Sequence, residues 1–250
     1  MPHVQIDGLY LPYDDLGQGE PALLFLPGWC ASRAAFGDLP GLASAYRRVL
    51  AMDWRGHGAA DTPAWDFGHA ELAADALAVI ARSGARQVVP VALGHAGWIA
   101  LELRRRLGSQ VAGLVLIDWE LTPPPAHFLA ELDAMQASDP VGRSGFAQWA
   151  LAARALSGEY RRAGCPLADL AALGPAVPTL HLSGAALPAD TDLALQQFAQ
   201  RHPWFTATQL PSRGPLLVQE MPATLAEHIV RFTVPLPGPG ADRQPRRRAG

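Results

Sequence analysis

The chain of 250 residues has a formal net charge of −3 and a hydrophobic content of 49%, values typical of a globular protein. A chain of this length buries about three quarters of the surface that its unfolded form exposes, so it can hold a full core. The net charge gives no reason to expect nucleic-acid binding. All 20 basic residues are arginine, and this excludes a lysine Schiff base and a Walker-type lysine.

Metal, cofactor and membrane signals are missing from the sequence. Cys30 and Cys165 are the only cysteines, too few for a disulfide framework or a sulfur-based metal site. No histidine and carboxylate cluster has zinc-like spacing, and no glycine-rich turn has the nucleotide fingerprint. The sequence shows no signal-peptide pattern and no membrane-spanning apolar stretch. We therefore expect no cofactor and no membrane contact, and cytoplasmic location by default; the oligomeric state stays open.

Short apolar runs alternate with longer segments of helical spacing along the chain. This order is typical of the α/β class, in which helices cover both faces of a mostly parallel sheet. Eight runs predict strands: 4–6 and 9–13 as an opening hairpin, then 22–26, 48–52, 87–92, 113–117, 179–183 and 205–210. Helical spacing marks residues 70–82, 98–107, 193–201 and 222–232, the last with Pro222 in its first turn.

One region interrupts this alternation. Residues 121–175 are rich in alanine and proline, with amphipathic helical stretches, and they follow a predicted strand at the point where a cap would cover a pocket. We expect an α/β core made of residues 1–120 and 176–234, with a short helical cap at 121–175. The Pro/Gly-rich segment 235–250 carries a small arginine cluster, and we interpret it as a disordered, solvated tail.

The turn from Val91 to Gly97 joins a predicted strand to a predicted helix. It resembles the nucleophile elbow of the α/β-hydrolases, in which the middle residue projects an oxygen from a strained corner. Here the middle residue is Gly94. Because glycine has no side chain, no covalent intermediate can form there.

Several further motifs resemble one family in particular. They are Gly28-Trp29-Cys30, Asp53-Trp54-Arg55-Gly56-His57-Gly58, His95-Ala96-Gly97-Trp98, Ile117-Asp118-Trp119 and His202-Pro203-Trp204-Phe205. Over residues 21–117 and 197–232 the chain resembles the cofactor-independent 3-hydroxy-4-oxoquinoline 2,4-dioxygenases. The resemblance implies an α/β-hydrolase fold with an eight-stranded, mostly parallel sheet. It also implies a His–Asp pair that deprotonates the 3-hydroxyl of a heteroaromatic substrate, an elbow serine that binds it, and a main-chain oxyanion hole.

The family's catalytic residues carry over only in part. Asp118 matches the acid, whereas Gly94 occupies the serine position and Pro215 the histidine position. His202 precedes the last predicted strand and His228 lies within the final predicted helix, so neither can replace the histidine without rearrangement. The cap is also shorter than the family's.

From this comparison we predict a site that keeps its main-chain donors and has lost its dyad. The N–H groups of Trp29 and His95 would form the oxyanion hole. The predicted lining of the pocket is Trp29, Cys30, Leu93, Gly94, His95, Trp119 and Pro215. Asp118 and His95 are the candidate catalytic side chains, and the expected ligand is a small aromatic or carbonyl-bearing molecule.

Several of these residues have competing structural interpretations. His95 is either a pocket base or a side chain that packs behind the turn. We expect His57 to structure its loop and Cys30 to be a small buried side chain rather than a nucleophile. Asp190 and Asp192 predict a helix N-terminus.

Three functions remain open on the sequence alone. The chain is a binder of a small aromatic molecule with altered or no catalysis, an active dioxygenase- or hydrolase-like enzyme that uses a different base, or a non-catalytic scaffold subunit.

Overall fold

The computed structural model describes residues 1–28, 31–65, 67–121, 165–184, 187–212 and 216–236. Within these residues an eight-stranded sheet has the order β1-β2-β4-β3-β5-β6-β7-β8. The strands are β1 (His3–Ile6), β2 (Leu9–Leu16), β3 (Ala22–Leu26), β4 (Val49–Met52), β5 (Val88–Leu93), β6 (Leu114–Ile117), β7 (Thr179–Ser183) and β8 (Phe205–Gln209). Strands β1, β2 and β4 pair antiparallel and all other neighbours pair parallel. The predicted fold class and opening hairpin are confirmed.

Helices alternate with the strands as expected. They are α1 (Leu39–Ser44), α2 (His69–Ser83), α3 (Gly97–Leu107), α4 (Pro166–Ala171), α5 (Ala189–Arg201), α6 (Leu217–Glu220) and α7 (Pro222–Thr233). The four predicted helices correspond to α2, α3, α5 and α7, and Pro222 opens α7. Helix α4 lies within the predicted cap; residues 122–164 of that cap and 237–250 of the predicted tail lie outside the described residues. None of the described helices has the length and apolarity needed to cross a bilayer.

Both faces of the sheet are covered by helices. On β3, Leu24 and Leu26 join a core cluster with side chains of α2 and α3. Leu23 and Phe25, which point the other way, join a second cluster with α1 and α7. All of β3 is buried as a result, and this explains why its sequence is a continuous apolar run rather than an alternating one.

The central parallel strands end at one edge of the sheet. Leu93 at the end of β5 pairs with Ile117 of β6, and Ile117 pairs with Leu182 of β7. The residues that follow these strands therefore gather at the carboxyl edge. In open parallel sheets this is the edge where ligands bind.

Candidate functional site

Strand β5 passes into helix α3 through a sharp turn at Gly94. This residue has φ +54°, in the left-handed region that favours glycine, and a short 3-10 segment from Gly94 to Ala96 precedes α3. The Gly97 N–H donates to the carbonyls of Gly94 and His95 and links this segment to the helix. The strand-turn-helix backbone of an elbow is therefore formed, with no side chain at its centre.

The described residues leave room for a side chain at this turn. Apart from the adjoining Leu93 and His95, the described atom within 4 Å of an ideal Cβ built at Gly94 is the main-chain oxygen of Asp118, at 3.9 Å. Trp29, Cys30 and Pro215 lie outside the described residues, so their predicted roles at the site stay predictions. The described members of the predicted site are Leu93, Gly94, His95, Asp118 and Trp119.

Asp118 follows β6 and has φ +48°, an unusual value for a residue with a side chain. Its N–H donates to the Leu182 carbonyl at 2.9 Å, and its Oδ1 accepts the Gly184 N–H at 2.9 Å. The Leu217 N–H also donates to the carboxyl group. Burial raises the pKa of Asp118, the two N–H groups lower it, and the charge of Glu220 raises it. Main-chain donors thus hold this carboxylate, and among the described residues no histidine shifts its pKa.

His95 is partly exposed beside the turn. Burial lowers the pKa of His95 from 6.5 to about 4, so its imidazole is neutral at neutral pH. A neutral imidazole can accept a proton, but one with so low a pKa is a weak base at neutral pH. The sequence-based choice between a base and a packing role for His95 remains open.

Trp119 packs against the first turn of helix α3, next to the elbow. Its side chain is 2% exposed, and its ring forms an edge-to-face contact with Trp98 of α3, with the ring centroids 5.1 Å apart. A Cβ at Gly97 would lie 2.1 Å from Cε3 of Trp119, so the ring packs directly on the helix backbone. Trp119 is therefore part of the core beneath the turn, and its contact with a ligand stays a prediction.

His181 was not predicted as a site residue, yet it lies directly behind the site. It is 2% exposed on β7, and its Nε2–H donates to the carbonyl of Trp119 at 3.0 Å. Burial lowers the pKa of His181 to about 4, so the ring is neutral at neutral pH. The available sequence signal was a histidine between two leucines of a predicted strand.

The motif around His57 forms a buried loop scaffold. Trp54 donates its Nε1–H to the Pro27 carbonyl at 2.8 Å and ties this loop to the end of β3. The fully buried guanidinium of Arg55 pairs with the buried carboxylate of Asp75 on α2. His57 is 5% exposed and contacts the Arg55 carbonyl through Nδ1, and burial lowers the pKa of His57. These contacts are structural, as the sequence predicts for His57.

The remaining candidates lie where the sequence places them. Asp190 and Asp192 are in the first turn of α5, which confirms their helix-terminal position. His202 follows α5 and packs against Phe198, while His228 lies within α7. Across the described part of the chain, no group of three histidine, cysteine or acidic residues could hold a metal ion.

Comparison with known proteins agrees with this architecture. Residues 21–164 match the family described as the alpha/beta hydrolase fold, which is more than half of the chain. The chain therefore belongs to the α/β-hydrolase superfamily.

Within that superfamily the chain is related to the cofactor-free quinolone ring-cleaving dioxygenases. It is 30% identical to the 2-heptyl-3-hydroxy-4-quinolone dioxygenase AqdC1 of Rhodococcus erythropolis over 243 residues, 85% of this chain and 86% of AqdC1. It is 27% identical to the 1H-3-hydroxy-4-oxoquinoline 2,4-dioxygenase of Pseudomonas putida over 261 residues, 93% of this chain and 99% of that protein. A solved structure of AqdC in complex with its product superposes with a TM-score of 0.85 at 27% identity and covers 93% of this chain and 99% of AqdC.

Proposed function

We propose that this chain binds a 3-hydroxy-4-quinolone, or a similar flat and carbonyl-bearing aromatic molecule, and does not cleave it by a His–Asp mechanism. The observation that carries the proposal is the elbow itself. Its backbone is formed, with Gly94 at φ +54° between β5 and α3, yet nothing projects from it. The relative AqdC has the same fold, and its solved structures contain its substrate in one case and its product in another. These complexes support a quinolone as the ligand class.

The residues present at the site argue against the mechanism of the relatives. A general base needs a suitable pKa and a position within hydrogen-bond reach of the proton that it removes. Pro215, which aligns with the family's histidine, has no basic side chain. Asp118 accepts the Gly184 and Leu217 N–H groups, and no histidine of the described residues is among the groups that shift its pKa. Loss of a triad-type unit costs several orders of magnitude in rate.

Binding of a ligand requires hydrogen-bond donors but no catalytic base. The two N–H groups assigned to the oxyanion hole, those of Trp29 and His95, belong to the main chain and do not depend on any catalytic side chain. Such donors bind a carbonyl oxygen as well as an oxyanion. A ligand with a ring carbonyl can therefore still be recognised after the dyad is lost.

The alternative of an active enzyme with a different base has one observation in its favour. His95 adjoins the elbow, and its imidazole is unprotonated at neutral pH because burial lowers its pKa to about 4. This low pKa also makes it a poor proton acceptor, and for this reason we place binding first.

Calorimetric titration tests the proposal. Wild-type protein is titrated with 2-heptyl-3-hydroxy-4-quinolone and with 1H-3-hydroxy-4-oxoquinoline, and we expect micromolar affinity for at least one of them. Gly94→Phe should abolish this binding because the ring fills the turn. Gly108→Phe is the matched control, since Gly108 has the same φ of +54° and an open, exposed environment.

Two results would contradict the proposal. One is the absence of heat and of any spectral change with both quinolones; a stable complex with another protein would then favour the scaffold function. The other is quinolone binding that survives in Gly94→Phe, because the ligand would then occupy a different place.

A further inference from the structure

The main-chain carbonyl of Asp118 borders the open space at Gly94. In a parallel ladder that continued past β6, the Gly184 N–H would donate to this carbonyl. Instead the Asp118 carboxylate accepts that N–H at 2.9 Å through Oδ1. The positive φ of Asp118 takes its backbone out of the extended conformation. Among the described residues, no N–H or O–H donates to the Asp118 carbonyl.

The released carbonyl oxygen lies close to the elbow. It is 3.9 Å from the position that a Cβ of residue 94 would occupy, and apart from Leu93, Gly94 and His95 no other described residue has a heavy atom within 4 Å of that position. A serine hydroxyl would lie one bond beyond this Cβ. A ligand hydroxyl that enters the open space in its place comes within reach of the carbonyl, which can only accept a hydrogen bond.

We propose that the Asp118 carbonyl accepts a hydrogen bond from the hydroxyl of a vicinal hydroxy-ketone, so that the site selects the neutral, protonated form of a 3-hydroxy-4-quinolone. This inference rests on the proposed function and adds which form of the ligand is bound. The ring carbonyl accepts from the His95 N–H, and the adjacent hydroxyl donates to Asp118. The hydroxyl keeps its proton, whereas the mechanism implied for the relatives begins by removing it.

The charges around the open space favour the neutral form of the ligand over the anion. Asp118 borders this space, and Glu220 of α6 lies near enough for its charge to raise the pKa of Asp118; when ionised, both carboxyl groups disfavour an anionic ligand. His95 at the turn and His181 on β7 are the neighbouring imidazoles. Burial lowers the pKa of each to about 4, so above pH 6 neither supplies a compensating positive charge.

A ligand series on wild-type protein tests the inference. We expect 2-heptyl-3-hydroxy-4-quinolone to bind about tenfold more tightly than its 3-methoxy derivative, the contribution of one hydrogen bond. Above the pKa of the free hydroxyl, its affinity should fall, and the absorption spectrum of the bound ligand should remain that of the neutral form. Gly94→Ala should remove the preference for the hydroxyl, while Gly108→Ala, at the same φ, should keep it.

The outcomes separate this inference from the proposed function. Equal affinity for the hydroxy and methoxy compounds overturns the inference and leaves quinolone binding standing. A bound ligand with the spectrum of the anion also overturns it. Failure of all the quinolones to bind overturns the proposed function and the inference together. The wild-type ligand series is decisive even if Gly94→Ala does not fold.

Discussion

At Asp118 a side chain replaces a main-chain group in the sheet. The carboxylate accepts the Gly184 N–H, and the residue adopts φ +48°. Such backbone values cost free energy and persist where the surrounding contacts hold them. His181 supplies one of these contacts, because its Nε2–H donates to the carbonyl of the next residue, Trp119. One buried histidine thus anchors the residue that follows Asp118.

The sequence predicted Asp118 as a site residue but not its partners. Its position after an apolar strand and its Ile-Asp-Trp context were sufficient to single it out. The donors come from Gly184 and Leu217, which are 66 and 99 positions away along the chain. His181 was missed because it lies between Leu180 and Leu182 of a predicted strand, and this context indicated only core packing. Contacts between such distant segments follow from the fold and not from local sequence.

The titration of His181 gives a prediction at this scale. Burial lowers the pKa of folded His181 to about 4, below the ordinary value of 6.5. Between these pH values the unfolded chain binds a proton that the folded chain does not. His181 therefore lowers the free energy of unfolding as the pH falls from 6.5 to 4. His181→Gln should reduce this slope by up to about 1.4 kcal/mol per pH unit.

Chemical denaturation at several pH values measures the slope. Glutamine keeps an N–H that can donate to Trp119 but does not titrate in this range. An unchanged slope in His181→Gln would show that the buried ring does not resist protonation, and the account of His181 as a neutral donor would then be wrong.

At the scale of elements, the elbow depends on close packing between α3 and the segment after β6. Trp119 lies against Gly97 so tightly that no Cβ fits between them. Its edge-to-face contact with Trp98 fixes the same helix from a second side. The N-terminal end of α3, which begins just after the elbow, is thereby held at a fixed distance from Asp118.

Gly97→Ala should consequently destabilise the protein by about 1–3 kcal/mol, the usual cost of overpacking a core. Gly41→Ala is the matched control, since Gly41 also lies inside a helix but a Cβ there meets nothing within 4 Å. The control should be neutral or stabilising by up to about 1 kcal/mol. Thermal and denaturant unfolding of the two variants provide the comparison; equal effects would contradict the packing argument.

Local sequence predicted some elements better than others. The central strands β3, β4 and β6 were predictable because each is a short apolar run, and the bounds of β7 match the prediction residue for residue. Helices α1 and α6 were not predicted. Helix α1 has six residues, including Pro40 and Gly41, and α6 has only four, so neither shows a helical period. Their helical form depends on packing against the second core cluster.

At the scale of the whole molecule, the fold of a catalytic family is kept, and we propose that its chemistry is altered at two positions. The alignment with the Pseudomonas putida relative covers 99% of that protein at 27% identity. The proposed difference lies in Gly94 and Pro215, which stand where the family resemblance implies a serine and a histidine. A fold does not fix a function, and we propose that these two positions favour binding over turnover.

Oxygen consumption is the measurement that tests this account most directly. Wild-type protein at a concentration well above the Kd is mixed with 2-heptyl-3-hydroxy-4-quinolone, and dissolved oxygen and released carbon monoxide are followed together. We predict that the quinolone binds and that both signals stay at the rate of the protein-free control. Repeated turnover by wild-type protein, abolished in Asp118→Asn or His95→Ala, would show that a working base exists and would contradict the account.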